Sequence, residues 1–206
     1  MTAESTEFTG PEPGRSSAPD PGETGVDADP GAPYWARPMP HDDASELQIA
    51  PEAAADAAEA QALVDRIFGP GRYAKAAERL REGNHFIPEL SFVARDAGRL
   101  VGTVRLWPVQ VGGAEALLLG PIAVDPAARR RGLGASLAAR ACEAAAEAGH
   151  ARVVLVGDLG FFERLGFEAL RPGQLRMPGP ADGRRILARS LKPGAWDGVE
   201  GEVALP

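Results

Sequence analysis

The chain has 206 residues, 44% of them apolar and 25% charged, with a formal net charge of −7, the make-up of one ordinary globular domain with room for a tail. Its single cysteine, Cys142, excludes an internal disulfide and a thiol-rich metal site, and no His, Cys, Asp and Glu stand at ligand spacing, so no metal is expected. No stretch is apolar and long enough for a membrane span and the N-terminus lacks a basic-then-apolar leader, so the expectation is a cytoplasmic protein without a membrane partner.

Residues 1–45 are rich in Pro, Gly, Ser and acids, and hold nine acidic side chains against Arg15 and Arg37. That stretch carries the whole net charge, and residues 46–206 are neutral. A segment so poor in apolar residues cannot offset its ordering entropy and reads as a disordered tail, with "PYWARPM" its one aromatic patch. The neutral body offers no broad basic face, which argues against nucleic acid as a partner.

The body opens on "ELQIAP", a short strand ended by Pro51. "EAAADAAEAQALVDRIF" repeats its apolar positions at helical spacing and stops at Gly69-Pro70-Gly71. "YAKAAERLREG" reads as a second, shorter helix ending at Gly83. "LSFVARD", a turn at Ala97-Gly98, and "RLVGTVRLWPVQV" form an antiparallel hairpin, and Gly112-Gly113 turns the chain into the strand "AEALLLGPIAV". Next come a strong Ala-rich helix, "LGASLAARACEAAAEAGH", and a buried strand, "ARVVLVG". The short helix "DLGFFERL", the strand "GFEAL" and the strand "RRILARSL" follow, before a Pro/Gly-rich run. The order β-α-α-β-β-β-α-β-α-β-β describes one α/β domain over 46–206. Its mixed sheet has antiparallel N-terminal strands and a parallel crossover through the central helix.

The stretch "DPAARRRGLGASL" carries the chemistry. A helix N-terminus presents unpaired N–H groups and a partial positive charge. Gly132 and Gly134 let an anion approach the backbone without a Cβ in the way. Arg129, Arg130 and Arg131 add charge-assisted bonds. Together these point to a pyrophosphate. A dinucleotide fingerprint fits less well, because position 137 is Leu137 and three arginines separate the glycines from the preceding strand. No Gly-Lys-Ser/Thr occurs, which excludes a P-loop. A merely solvated charge run leaves both glycines unexplained.

Arg129-x-x-Gly132-x-Gly134, preceded by "GPIAVDP", followed by an Ala-rich helix and later by "FFERLGF", resembles the acyl-CoA signature of the GNAT superfamily of N-acetyltransferases. The resemblance covers residues 46 to about 191, and is nearest to a branch of bacterial acetyltransferases of unassigned substrate. It implies an opening between the strand ending at Val124 and the strand "RVVLVG". The pantetheine of acetyl-CoA would pair there with Ile122, Ala123 and Val124. The pyrophosphate would sit on Arg129, Arg130, Arg131, Gly132, Leu133, Gly134 and Ala135, and Phe162 would line the site. The Ile122 N–H, behind Gly120-Pro121, is the candidate oxyanion donor, and Asp158 the candidate proton-handling group. The chain departs from the family at two places. Leu118 lies where relatives carry a basic glutamate, and Phe162 where many carry an acidic tyrosine. The implied partners are a CoA thioester and an amine acceptor, and a homodimer is left open. The alternative is a non-catalytic acyl-CoA sensor or scaffold.

The remaining candidates have plainer readings beside the functional ones. Asp158 also reads as the N-cap of the short helix. His85 and Glu89 could face an acceptor, or be loop residues in water. Arg105 and Trp107 could line an acceptor pocket, with half-buried packing the alternative for Trp107. His150 reads as a helix C-terminal partner, Cys142 as a small core residue, and Arg184-Arg185 as the start of a solvated edge strand.

Overall fold

A computed structural model describes residues 47–206, so the tail reading for 1–45, with its aromatic patch, lies outside the described residues. Strand β1 (Gln48–Pro51) leads through a 3-10 turn into helix α1 (Ala57–Phe68). The helix buries Ala60, Leu63 and Val64, one i, i+3, i+4 stripe, against Val93, Leu100 and Ala123 of the sheet. Gly69, at φ 63°, ends it.

The second helix is shorter than its sequence predicts. A 3-10 turn covers Pro70–Ala74, and α2 is the single turn Ala76–Arg79. Lys75 between them is extended, because Arg72 folds inward to donate to Glu78 Oε1 at 2.6 Å. A buried ion pair here overrides local helix propensity.

Strands β2 (Phe92–Asp96), β3 (Arg99–Val111) and β4 (Ala114–Val124) continue the antiparallel sheet begun by β1. Helix α3 (Leu133–Glu147) crosses over to β5 (Arg152–Val156), which lies parallel to β4. Helix α4 (Leu159–Phe162) and four short strands complete the chain: β6 (Glu168–Ala169), β7 (Leu175–Arg176), β8 (Ile186–Ser190) and β9 (Gly201–Ala204). The sheet order is β1-β2-β3-β4-β5-β8-β6, with β9 on the far end of β3 and β7 on β9. The expected order therefore holds through α4 and the strand after it. β7 and β9 are additions, each too short to show a period in the sequence. Arg184 and Arg185 lie in a 3-10 turn, and the strand begins only at Ile186.

Helices cover both faces of the sheet. α3 lies opposite α1 and buries Ala138, Ala141, Cys142 and Ala145, side chains small enough for a close approach. Gly102 on β3 makes room for it, since a Cβ there would stand 2.8 Å from Leu137 Cδ1 and 3.3 Å from Leu133 Cδ2. Cys142 has no exposed surface, and burial pushes its thiol up to about 11. The thiol therefore stays protonated at neutral and mildly alkaline pH, and only the thiolate is nucleophilic. Native protein at pH 8 should resist iodoacetamide, and denatured protein should be alkylated at an ordinary thiol rate. Equal rates would show that α3 opens readily.

Candidate active site

Strands β4 and β5 pair over only two registered residues, Leu117 with Val153 and Leu118 with Val154. β4 then runs on to Val124 while β5 ends at Val156, so the two strands part. The parting coincides with a bulge. Val104 faces Ile122 and Leu106 faces Leu119, which leaves Gly120 and Pro121 opposite Arg105 alone. Gly120 has φ 117°, and its carbonyl accepts from Trp107 Nε1 at 2.7 Å. Pro121 brings no N–H to the ladder.

The bulge fixes which amides face the opening. Asp125 N–H donates to the Val101 carbonyl at 2.8 Å. Alternation along an antiparallel pair then gives the Thr103–Ala123 position to β3–β4 bonding, and turns the amide groups of Ile122 and Val124 away from β3. That direction is the gap from which β5 has departed.

The other wall comes from β5 and α4. Asp158 caps α4, its Oδ1 accepting from the Phe161 N–H at 3.2 Å, and its side chain borders the opening. Phe162 packs edge-on to Phe161 (4.8 Å) and to Phe167 (5.7 Å). Gly157 before them is a steric requirement the sequence reading missed. A Cβ there would run into the Phe162 ring and stand 2.8 Å from Leu155 Cδ1.

At the end of the opening stands the mouth of α3. Gly132 is its N-cap in the left-handed region, φ 66°, without a side-chain cap. Arg129, Arg130 and Arg131 lie in a 3-10 turn over Pro126–Arg131, where i→i−3 bonding engages the backbone donors. The Ala135 N–H donates to the Gly132 carbonyl at 3.0 Å. Leu133 and Gly134 thus carry the N–H groups that a helix leaves without an intrahelical acceptor. A Cβ on Gly134 would meet Val124 Cγ2, Phe161 Cζ and Ile122 Cγ2 at 3.7–3.9 Å, so this glycine looks straight into the gap between β4 and α4.

The opening continues into a cavity of about 490 Å³. One side is the parted strands, from Leu119 to Ile122 and from Leu155 to Asp158, with Phe162. The other is the end of α1, the α2 region and residues 180–185. Sequence reading placed nothing in this second half. Arg72, Glu78 and Arg81 form a buried network there: Glu78 accepts from Arg72 at 2.6 Å and from Arg81 at 2.9 Å, and Arg72 also pairs with Asp65 at 2.9 Å. In sequence these are charges within a helical stretch, the pattern of a solvated face. Only the i, i+3 spacing of Glu78 and Arg81 hints at the pair.

Other candidates fall elsewhere. Arg105 does not reach the cavity wall. It is buried against Glu52 with a shortest contact of 2.6 Å, and its guanidinium lies 4.4 Å from the Phe86 ring centre. Trp107 is buried packing. His85 and Glu89 are exposed and outside the cavity lining. Leu118 is fully buried between β3 and β5, so this stretch of β4 presents no base. Among the described residues no three His, Cys, Asp or Glu converge as metal ligands, and no helix is long and apolar enough to cross a membrane.

Comparison with known proteins places this architecture. The model of the acetyltransferase (GNAT) family matches residues 58–167. The chain is 34% identical over 151 residues to the uncharacterized N-acetyltransferase YhbS of Escherichia coli (strain K12), covering 72% of this chain and 89% of that protein. The crystal structure of E. coli YhbS in complex with CoA matches with a TM-score of 0.69 at 32% identity, over 80% of this chain and 92% of that one. A GNAT family acetyltransferase from Brucella melitensis in complex with acetyl-CoA matches with a TM-score of 0.59 at 29% identity, over 79% and 97% of the two chains.

Proposed function

The chain belongs to the acetyltransferase (GNAT) family, and from that premise we propose that it moves the acetyl group of acetyl-CoA to an amine by direct attack. The observation that carries the proposal is the parting of β4 and β5 behind the Gly120-Pro121 bulge, which turns the Ile122 amide into the opening.

The thioester arm lies along the β4 edge as an extra strand, hydrogen-bonded at Ile122 and Val124, with Ala123 left to β3. The pyrophosphate rests at the mouth of α3, on Leu133 and Gly134 first, with Arg129, Arg130 and Arg131 around it. The amine nitrogen attacks the thioester carbonyl carbon, and the carbonyl π pair moves to oxygen, where the Ile122 N–H stabilises it. When the pair returns, the C–S bond breaks and its electrons leave on sulfur. The nitrogen gives its proton to water and the sulfur takes one back. With Leu118 and Phe162 at the family's base and acid positions, this chain relies on alignment of donor and acceptor, and alignment alone can supply several kcal/mol of a barrier. A CoA thiol with a pKa of about 8.5, taking cysteine as a guide, leaves without a dedicated acid. Asp158 borders the opening, and its Oδ1 accepts from the Phe161 N–H of the α4 cap, which assigns it a positional part.

The test is release of free CoA thiol from acetyl-CoA in the presence of amines. Amine-dependent release above the rate without protein is the expected result. Tight CoA binding with no release for any amine would favour the non-catalytic sensor, the reading that Leu118 and Phe162 support.

A further inference from the structure

The acetyl-transfer reading accounts for the parted strands and the α3 mouth. It does not account for a cation at the opposite end of the same cavity. Arg81 lies in the turn just beyond α2, with a side chain only 14% exposed. Its Nη1 donates to Glu78, whose carboxylate is already shared with Arg72, and its Nε is buried without a partner among the described residues. Burial, together with the nearby charges of Arg72 and Arg105, holds the Arg81 guanidinium below its ordinary value, and Glu78 pulls it the other way. It is still a cation at neutral pH.

Its third nitrogen faces the reaction centre. A methyl group placed on Gly120 would stand 3.4 Å from Arg81 Nη2 and 3.7 Å from the Ile122 amide nitrogen. The two nitrogens are therefore no further apart than those distances together. Glu78 is shared by the two arginines and Asp182 is paired with Arg184, while Asp158 gives its Oδ1 to the α4 cap and has no ion pair with Arg81 among the described residues. Lys75, also on the lining, has no ion pair among the described residues. The CoA phosphates do not explain Arg81 either, since the α3 mouth lies beyond Ile122 and Val124, with the pantetheine arm between.

We propose that the acceptor is a free α-amino acid, whose carboxylate is held by Arg81 Nη2 while its amine faces the thioester carbon beside the Ile122 N–H. The inference rests on the acetyl-transfer reading for the place of the thioester. The upper bound on the separation of the two nitrogens suits an α-amino acid. An amine and a carboxylate on one carbon fit between the two nitrogens, whereas a peptide N-terminus offers only a neutral amide at that distance. A guanidinium held out of water with one anionic partner gains most from a second. The same positive charge also favours the neutral form of an amine bound next to it, which is the form that attacks.

The experiment compares three sets of compounds: the L-amino acids, their amides, and the amines left when the carboxylate is removed. Binding to CoA-saturated protein is measured by calorimetry, and thiol release from acetyl-CoA is followed in parallel. At least one amino acid should bind about 10- to 100-fold more tightly than its own amide and amine, the worth of a charge-assisted bond in a desolvated site. Arg81→Met should erase that difference while leaving CoA affinity unchanged, with folding checked by circular dichroism. If this variant does not fold, the discrimination by the native protein decides alone.

Amides and amines bound as well as the amino acids, or no amino acid bound at all, would overturn the proposal. So would a rate loss in Arg81→Met that is equal for all three sets, since Arg81 would then be acting on the thioester oxygen. The two readings fail separately. Amino-acid discrimination without thiol release would sink acetyl transfer and leave carboxylate recognition standing, and thiol release without discrimination would do the reverse.

Discussion

Glu52→Ala is expected to destabilise the protein by about 3–5 kcal/mol, the usual cost of stripping a buried ion of its partner. The Glu52 and Arg105 side chains are 1% and 6% exposed, and Arg105 donates to both Glu52 oxygens through Nε and Nη2. Without the carboxylate, Arg105 keeps only the Gln61 side chain, a long contact to the Ala57 carbonyl and the Phe86 ring. None of these supplies a negative charge. For a domain of this size the loss corresponds to a fall in thermal midpoint of about 10 °C. Glu52→Leu combined with Arg105→Met should recover most of it, because apolar groups of similar volume need no partner. Thermal and urea unfolding followed by circular dichroism reads both variants against the native protein. A loss below about 1 kcal/mol for Glu52→Ala would mean that water reaches Arg105 and that the pair is not the anchor it looks like. The effect should also extend to the site. Arg105 is the residue opposite the Gly120-Pro121 bulge, so a loosened Arg105 loosens the segment that orients the Ile122 amide.

That pair also shows where sequence reading stops. The hairpins, the long Ala-rich helix and the glycines at its mouth were legible because each is a local pattern: alternation, a 3.6-residue period, a turn signal. The bulge was half legible. Gly120-Pro121 announces a broken ladder, but that the break faces Arg105 depends on register, which no local window contains. Glu52 and Arg105 are 53 residues apart, and an alternating strand gave no reason to put a full charge on its buried face. Arg81 was missed for a related reason. A charge in a helical stretch signals solvent, unless a neighbouring element covers it, as β4 does here at Gly120. β9 escaped because its contribution to the core is one side chain, Val203, in four residues of a Gly- and Pro-rich run. The second helix was over-extended because propensity counts residues one at a time and cannot see that Arg72 must turn inward to meet Glu78.

Gly134→Val is expected to leave the fold intact and weaken CoA binding by about 100-fold, the equivalent of about 2.7 kcal/mol. The fold should survive because a Cβ at 134 meets only ordinary van der Waals neighbours, and because valine is no worse than glycine inside a helix. Those neighbours are Val124, Phe161 and Ile122, the two sides of the gap through which the CoA arm must reach the α3 mouth. The branched methyls would fill that gap and hold a phosphate off the Leu133 and Gly134 N–H groups. Gly134→Ala, with a single methyl, should lie between the two. Arg130→Ala should cost less than Gly134→Val, since an ion pair in water is worth at most about 1 kcal/mol, whereas backbone donors at a helix mouth are already in place. Calorimetric titration with CoA and with pantetheine, which lacks the pyrophosphate, separates the contributions. If Gly134→Val binds pantetheine like the native protein but CoA weakly, the lost contact is at the pyrophosphate. An equal loss on both would put the obstruction on the pantetheine arm. Native-like CoA binding by a folded Gly134→Val protein would show that the α3 mouth is not the phosphate site. The three arginines beside it would then be left as an ordinary charged surface.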